Sequence, residues 1–574
     1  MWLERCVKIP FFCLVLICNI GIGVHNIAIG VHAASSSSQD SQPYRTGYHF
    51  QPPKNWINDP NGPMYFNGVY HLFYQYNPFG PLWGNISWGH SISHDLVNWF
   101  ILQPALSPKD PYDIGGCFSG STTILPGPTR PRPVILYTGQ DVNGSQVQNI
   151  AFPKNLSDPF LKDWVKWSGN PFLTPVNDIK NDKFRDPSTA WKGPDGKWRM
   201  VIGGEINGHG TALLYHSKDG FNWTRSEKPL HYSSETSMWE CPDFYPVSYV
   251  GINGLDTSFQ GNNISHVLKA SYNNHEYYVI GTYDPNMDQF VVITNDFKVS
   301  NTQFQYDYGR FYASKSFYDS AKQRRVAWGW VNEGDSESDA VNKGWSGLQS
   351  FPRSIWLSDT RKQLVQWPVK EIEKLRTKQV SIPNREVKGG THVEVPGITA
   401  SQADVEVSFK LTNLNGTELI DSDESDPQLL CTQKNVSVGG SFGPFGLLIL
   451  TSTNMTEQTA VFFRVFKGPN KFHVLMCSDQ SRSSIAPQVD KSIYGAFVDI
   501  DPLHDKITLR SLIDHSIVES FGGEGLTCIT ARVYPKLAIN DQAKLYVFNY
   551  GTKSVTLSSL NAWSMNKAQI VPMV

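Results

Sequence analysis

Apolar and polar residues alternate along most of this chain in short runs, and clusters of Gly, Pro, Asn and Asp separate one run from the next. Between residues 46 and 376 such runs occupy 69–76, 134–137, 198–203, 267–271, 277–282 and 325–330. Alternation with a period of two predicts half-buried strands, because successive side chains of a strand point to opposite faces. Helical spacing is nearly absent. Only VKEIEKLR at 369–376 predicts a short helix. Many short strands with turn signals between them point to an all-β sandwich, barrel or propeller.

A loose internal repeat bears on that choice. Motifs rich in carboxylates or turn residues recur around Asp59 (WINDPNG), Cys117 (GGCFSGS), Asp186 (FRDPSTAW), Glu240 (WECPDFYP) and Asp307 (YDYGRFYASK), 54 to 69 residues apart. Each interval can hold one four-stranded blade and a long loop, which predicts a five-bladed β-propeller over 46–376. A large sandwich stays open on the pattern alone. In a propeller, the carboxylates that begin the inner strands meet although they are remote in sequence. After a linker at 377–389 the texture changes. Alternating runs at 404–411, 459–466 and 543–550 lack the aromatic and acidic clusters of the first part. They predict a β-sandwich over 390–574 that supports the first domain. Within it, DHSIVESFGGEG at 514–525 has polar residues at strand-like spacing, a candidate carbohydrate-contacting edge.

Composition narrows the function classes. The 574 residues carry 50 Lys plus Arg against 52 Asp plus Glu, a net charge of -2, with no basic stripe of the kind a nucleic-acid binder needs. The 17 Trp, 24 Tyr and 31 Phe suit all-β cores and also stack on sugar faces. An n-region with Arg5 and Lys8, an apolar run at 9–24 and small residues at Ala33 and Ala34 read as a secretory leader over 1–34. A retained membrane anchor is the alternative, but the run is short for a span. Once the leader is removed the chain is expected to meet no membrane. Eight Asn-x-Ser/Thr sequons, at Asn85, Asn143, Asn155, Asn222, Asn263, Asn415, Asn435 and Asn454, agree with secretion. Loss of the leader removes Cys6, Cys13 and Cys18 and leaves five cysteines, too few for a disulfide framework and odd in number. Cys431 and Cys477 both lie in the last third and could pair, whereas Cys117, Cys241 and Cys528 read as buried thiols. No CxxC spacing supports a structural zinc site.

Three carboxylates in aromatic and Pro-rich surroundings carry the chemistry: Asp59, Asp186 and Glu240. Glycoside hydrolysis needs one carboxylate as nucleophile or base and one carboxylic acid to protonate the leaving oxygen. Glu240 is the better acid, since Trp239, Pro242 and Phe244 would make its surroundings apolar and raise its pKa. Asn58 and Asn61 would keep Asp59 ionised, and Arg185 would do the same for Asp186. No GxSxG, HExxH or GxxxxGK[ST] occurs, so other hydrolase and nucleotide-binding readings lack support.

WINDPNGP at 56–63, FRDPS at 184–188, WECPDFYP at 239–246 and FSGS at 118–121 resemble the signature stretches of glycoside hydrolase family 32, the plant invertases and fructan exohydrolases. The resemblance runs from about residue 47 to the C-terminus and implies a five-bladed propeller followed by a β-sandwich. It also implies a retaining β-fructosidase without cofactor or metal, with fructan or sucrose as substrate. Residue by residue, it implies Asp59 as nucleophile, Glu240 as acid/base and Asp186 as transition-state stabiliser. Asn58, Gln75, Trp83, Phe118, Ser119 and Arg185 would line the fructose pocket, and Cys431 and Cys477 would form a disulfide. Plant acid invertases resembling this chain carry an Asp, followed by a Lys, in the turn before the EYYxxGTYD stretch. Here that turn, at 272–275, has neither. The departure favours a fructan exohydrolase over an invertase and leaves β-2,1 against β-2,6 linkage open. A transfructosylating synthase and a silent fructan-binding protein are the remaining classes. A monomer in the vacuole or outside the cell is expected; the pI of about 6.7 fits a soluble protein better than a wall-bound basic one.

Overall fold

The alternating runs do form strands, and among the described residues the strands assemble into seven sheets, antiparallel apart from two short parallel pairings in the first. The structure is a computed structural model that describes residues 42–573 apart from 128, 177, 421, 423 and 424. The expected leader at 1–34 lies outside the described residues. Among those residues no helix is long and apolar enough to cross a membrane.

Five sheets follow one another along the chain. The first is built on Asn55–Phe66, Val69–Asn77, Ser87–Ser93 and Trp99–Ile101, and the second on Gly116–Leu125, Arg132–Gln140, Gln146–Pro153 and Trp164–Lys166. The third is centred on Trp198–Ile206 and His209–Ser217, with the short Phe184–Arg185 and Trp191–Lys192 on its leading edge. Glu240–Ser248, Ile264–Tyr272, His275–Asp284 and Gln289–Val292 make the fourth. Tyr312–Asp319, Arg324–Val331, Arg353–Leu357 and Leu364–Pro368 make the fifth.

The apolar faces pack sheet against next sheet. Met64 and Phe73 of the first meet Ile135 and Tyr137 of the second. Val134 and Leu136 then meet Met200 and Ile202, Val201 and Leu214 meet Phe244 and Leu268, and Tyr245 and Ile280 meet Ala327 and Ile355. Ile57, Leu72 and Tyr74 of the first sheet close on Phe317 and Trp328 of the fifth. The leading strands of the first, second, fourth and fifth sheets each carry a bulge near their start, at 58–59, 118–119, 241–242 and 313–314. The third is interrupted instead, with Asp186 in the left-handed region at φ 68°. A bulge sets two residues against one and re-aims a side chain.

The last two sheets form a second all-β domain around one continuous apolar cluster that includes Val405, Phe409, Phe445, Leu447, Phe463, Met476 and Val547. Cys431 and Cys477 form a disulfide there, while Cys117, Cys241 and Cys528 are free and buried.

Several expectations are corrected. The helix expected at 369–376 is a 3-10 helix, Lys370–Leu375. The short helices Glu337–Lys343 and Pro427–Gln433 had no periodic signal. The segment 377–389 is not a free linker: Arg376–Ile382 and Arg385–Val387 pair with Val555–Met565 in a sheet of the second domain. The chain end does not stay in that domain, because Ile570–Pro572 returns to pair in parallel with Trp99–Ile101 of the first sheet. The stretch 514–525 is no exposed edge. The Asp514 carboxylate accepts the backbone N–H groups of Gly47, Tyr48 and His49, and Glu519 accepts from Phe351 and Arg353. Both acids are fully buried and join the two domains.

Candidate active site

Each bulge delivers a polar side chain. In the first sheet, Asn58 and Asp59 together oppose Gln75. Asp59 Oδ2 accepts the Ser119 hydroxyl at 2.5 Å, and Oδ1 accepts the Asn58 amide at 3.0 Å. Asn58 is itself held by Trp56 Nε1 at 2.7 Å and, through its carbonyl, by the Gln349 amide at 2.6 Å. Gln75 is buried and donates to the Cys117 carbonyl at 3.1 Å, which braces the second bulge. Phe118 there stands 6.2 Å, ring to ring, from Trp83, whose indole is 59% exposed at the rim. The motif glycines are required by close approach: a Cβ on Gly120 would lie 2.0 Å from the Leu136 carbonyl oxygen, and one on Gly62 2.3 Å from Thr122 Oγ1.

Asp59, Asp186 and Glu240 come from three different sheets and converge on one residue, Cys241. Its N–H donates to Asp186 Oδ2 at 2.9 Å, and its thiol lies 3.5 Å from that oxygen and 3.6 Å from Asp59 Oδ2. The Asp186 N–H is anchored on Thr138 Oγ1 at 2.8 Å. Glu240, the next residue back, is gripped on both oxygens: Arg185 Nη2 donates to Oε1 and the Tyr312 hydroxyl to Oε2. Arg185 also donates to Gln146 at 3.2 Å and to the Asp182 carbonyl at 2.9 Å.

The electrostatics follow from that crowding. Burial and the neighbouring Asp186 push Asp59 up to about 6, against the lowering hydrogen bonds of Ser119 and Asn58. Asp186 is also raised by burial, and Arg185, 3.9 Å away, only partly offsets this. Burial opposes the Arg185 charge, but Glu240 and Asp186 outweigh it and the guanidinium is raised. Burial and then Glu240 push the Tyr312 phenol up, so it stays a neutral donor.

Three sequence arguments need correction here. Asn61 does not touch Asp59: it is fully buried, and its amide atoms have no partner. Trp239 and Phe244 pack into the core between the third and fourth sheets, so Glu240 is surrounded by a cation and a phenol and not by apolar rings. The fifth motif was centred five residues early. Asp307 accepts from Arg353, Gly309 and Thr530 at the domain junction, and the residue that reaches the centre is Tyr312. Tyr312 is one of three tyrosines in YDYGRFYASK, and the carboxylate of Asp307 at the repeat spacing is the more conspicuous signal.

Of the eight sequon asparagines, seven are exposed and Asn435 is half-buried. The 272–275 turn is a two-residue hairpin with Asn273 at φ 51° and Asn274 at φ 61°, the left-handed pair that tight hairpins favour. It lies at the mouth of the site, because Glu240 pairs with Ser271 and Ser271 with Glu276.

Comparison with known proteins agrees with this geometry. Residues 49–368 match the glycosyl hydrolases family 32 N-terminal domain, and 371–564 match the glycosyl hydrolases family 32 C terminal. An insoluble beta-fructofuranosidase isoenzyme of Arabidopsis thaliana is 54% identical over 99% of both chains. The fructan 6-exohydrolase of Beta vulgaris is 55% identical, covering 92% of this chain and 88% of its own. The crystal structure of fructan 1-exohydrolase IIa from Cichorium intybus superposes with a TM-score of 0.91 at 54% identity, covering 93% of this chain and 99% of that one. From motifs, fold and site together, the chain belongs to glycosyl hydrolase family 32.

Proposed function

We propose that this protein is a retaining, exo-acting β-fructosidase that releases terminal fructose from fructans. The observation that carries the reading is the meeting of Asp59, Asp186 and Glu240 around Cys241, with Glu240 held by Arg185 and Tyr312. The five N-terminal sheets are the blades of a five-bladed propeller, and their leading strands start at its axis; the ring of apolar contacts from the first sheet through to the fifth and back supports this. The catalytic domain spans 46–376, and the β-sandwich that follows braces it.

In the first step an Asp59 oxygen attacks the anomeric C2 of a terminal β-fructofuranosyl unit. The bond to the leaving oxygen breaks, and Glu240 gives that oxygen its proton. Water, activated by the Glu240 carboxylate, then cleaves the fructosyl–Asp59 ester with overall retention. Asp186 accepts fructose hydroxyls. The Asp59 and Asp186 carboxylates, each destabilised by burial and by neighbouring acids, are relieved as positive charge develops on the sugar, which lowers the barrier. Asn58, Gln75, Trp83, Phe118, Ser119 and Arg185 line the fructose pocket, with Trp83 at its open end.

Fructan is preferred to sucrose because the Asn273–Asn274 turn offers no carboxylate to orient a glucosyl leaving group, while a fructan chain has further units to bind. Acid invertase activity is the second reading, and the similarity to beta-fructofuranosidases as well as exohydrolases keeps it in view. Initial rates of fructose release at mildly acidic pH from sucrose, 1-kestose, inulin and levan decide between them. Fast release from fructans with negligible sucrose cleavage is expected; dominant sucrose cleavage would overturn the preference. The protein acts as a monomer in the vacuole or outside the cell.

A further inference from the structure

Directly behind the candidate acid lies a charged pair with no access to solvent. Lys269 and Glu276 face each other across neighbouring strands of the fourth sheet, Nζ to Oε2 at 3.1 Å, and both side chains are 0% exposed. The ammonium donates to two backbone carbonyls at 2.6 Å each: that of Cys241 in the fourth-sheet bulge and that of Ser314 in the fifth-sheet bulge. Glu276 is tied to the same place, since Oε1 accepts the Ser314 N–H at 2.7 Å and the Ser271 hydroxyl at 2.8 Å. Burial raises the Glu276 carboxyl and Lys269 opposes that rise.

These two bulges are the ones that aim Glu240 and Tyr312. Each contains a non-glycine residue in the left-handed region, Cys241 at φ 45° and Ala313 at φ 52°, a conformation that persists only when its surroundings enforce it. A buried ion pair is a poor way to gain stability, because desolvation offsets most of the attraction. Here the pair spans two sheets and touches neither Asp59 nor Glu240. We infer that Lys269 and Glu276 are positioning residues: by joining the Cys241 and Ser314 carbonyls they fix the distance between Glu240 and the Tyr312 hydroxyl, and so the aim of the proton delivered to the leaving oxygen. This rests on Glu240 being the acid.

Other charged and titratable groups close to this cluster are Arg185, Asp186, Tyr312, Lys315, which donates to the Pro242 carbonyl at 3.3 Å, and Asp243, which accepts the Ser316 hydroxyl at 2.5 Å. Lys315 and Asp243 are left unchanged in the test.

The test measures kcat/KM on two substrates, 1-kestose and 4-nitrophenyl β-fructofuranoside. The nitrophenolate leaves without a proton, so acid catalysis matters little for it. The variants are Glu276→Gln, which is isosteric, and the double Lys269→Met with Glu276→Gln, which removes both charges together. Ser271→Ala is the mildest variant and serves if the others do not fold. A positioning role lowers kcat/KM for 1-kestose by about 10- to 100-fold in the first two, as a misplacement near 1 Å does, and by severalfold in Ser271→Ala. The loss for the nitrophenyl substrate stays within about threefold. Equal losses on both substrates, or a folded double variant within twofold of the parent on 1-kestose, would overturn the inference. Glu240→Gln run alongside separates the two claims: if it lacks the same leaving-group dependence, the assignment of Glu240 as acid fails and not merely the role of the pair.

Discussion

The two domains use the same material, antiparallel strands with alternating side chains, and reach opposite interiors. In the C-terminal domain two sheets close on one continuous cluster of apolar side chains. In the N-terminal domain the apolar residues are divided among separate clusters, one between each sheet and the next. That arrangement frees the leading edges of the sheets, where Asp59, Ser119, Arg185, Glu240 and Tyr312 gather. A core distributed between sheets leaves a polar centre; a core shared by two sheets fills its own. Changes at the centre of the first domain should therefore alter rate without unfolding, and changes inside the second should do the reverse.

The largest effect expected is catalytic. Asp59→Asn and Glu240→Gln should each lower kcat by several orders of magnitude while the circular dichroism spectrum stays as in the parent and thermal unfolding stays cooperative. A variant with near-parental rates would break the comparison at its strongest point. Next come stability changes that leave chemistry alone. Phe463→Ala hollows the C-terminal core and should cost about 3–5 kcal/mol, read by denaturant unfolding, with parental kcat below the transition. Glu519→Ala should cost a similar amount, about 3–5 kcal/mol, because it strips Arg353 and His49 of a buried partner at the junction. If either variant instead lost activity while folded, the second domain would be shaping the site directly.

Removing the Cys431–Cys477 disulfide by Cys431→Ser with Cys477→Ser should cost about 2–4 kcal/mol, again with unchanged kcat. The smallest effect is a pH signature. The Asp59 carboxyl is raised to about 6, so the native state holds its proton more tightly than the unfolded chain does. Its contribution favours folding at low pH and is lost as pH rises through about 6, after which the buried anion carries a cost of about 1–3 kcal/mol. Asp59→Asn should thus be more stable than the parent at pH 7.5 and no more stable at pH 4, as melting temperatures at the two pH values will report. The same protonation predicts that kcat/KM of the parent falls as pH drops below about 6.

Much of this is legible in the sequence alone. The run at 69–76 is the strand Val69–Asn77, the run at 325–330 lies in Arg324–Val331, and 459–466 in Thr459–Lys467. These strands are buried on both faces along nearly their whole length, so the half-buried strands that alternation predicts are not what forms there. The three carboxylates stood out because an acid beside Trp, Phe and Pro is unusual. Neighbours in sequence misled wherever they were taken for neighbours in space: Trp239 and Phe244 turn away from Glu240, and Asn61 from Asp59. In a strand, adjacent side chains point to opposite faces, which sets Trp239 away from Glu240, and the bulges at 58–59 and 241–242 shift that alternation before Asn61 and Phe244.

The sequence alone determined that the chain is all-β and where most strands lie, and it singled out Asp59, Asp186 and Glu240, because those readings depend on local alternation and on residue type. Only the tertiary structure decided which atoms meet. Arg185 and Tyr312 on Glu240, Ser119 on Asp59, Cys241 between two aspartates, and Lys269 beneath a pair of bulges all join residues from different strands, most of them from different sheets. Bulges set that arrangement by putting two residues against one, and which residue of another strand or sheet a side chain will meet is not written in the hydrophobic pattern of its own strand.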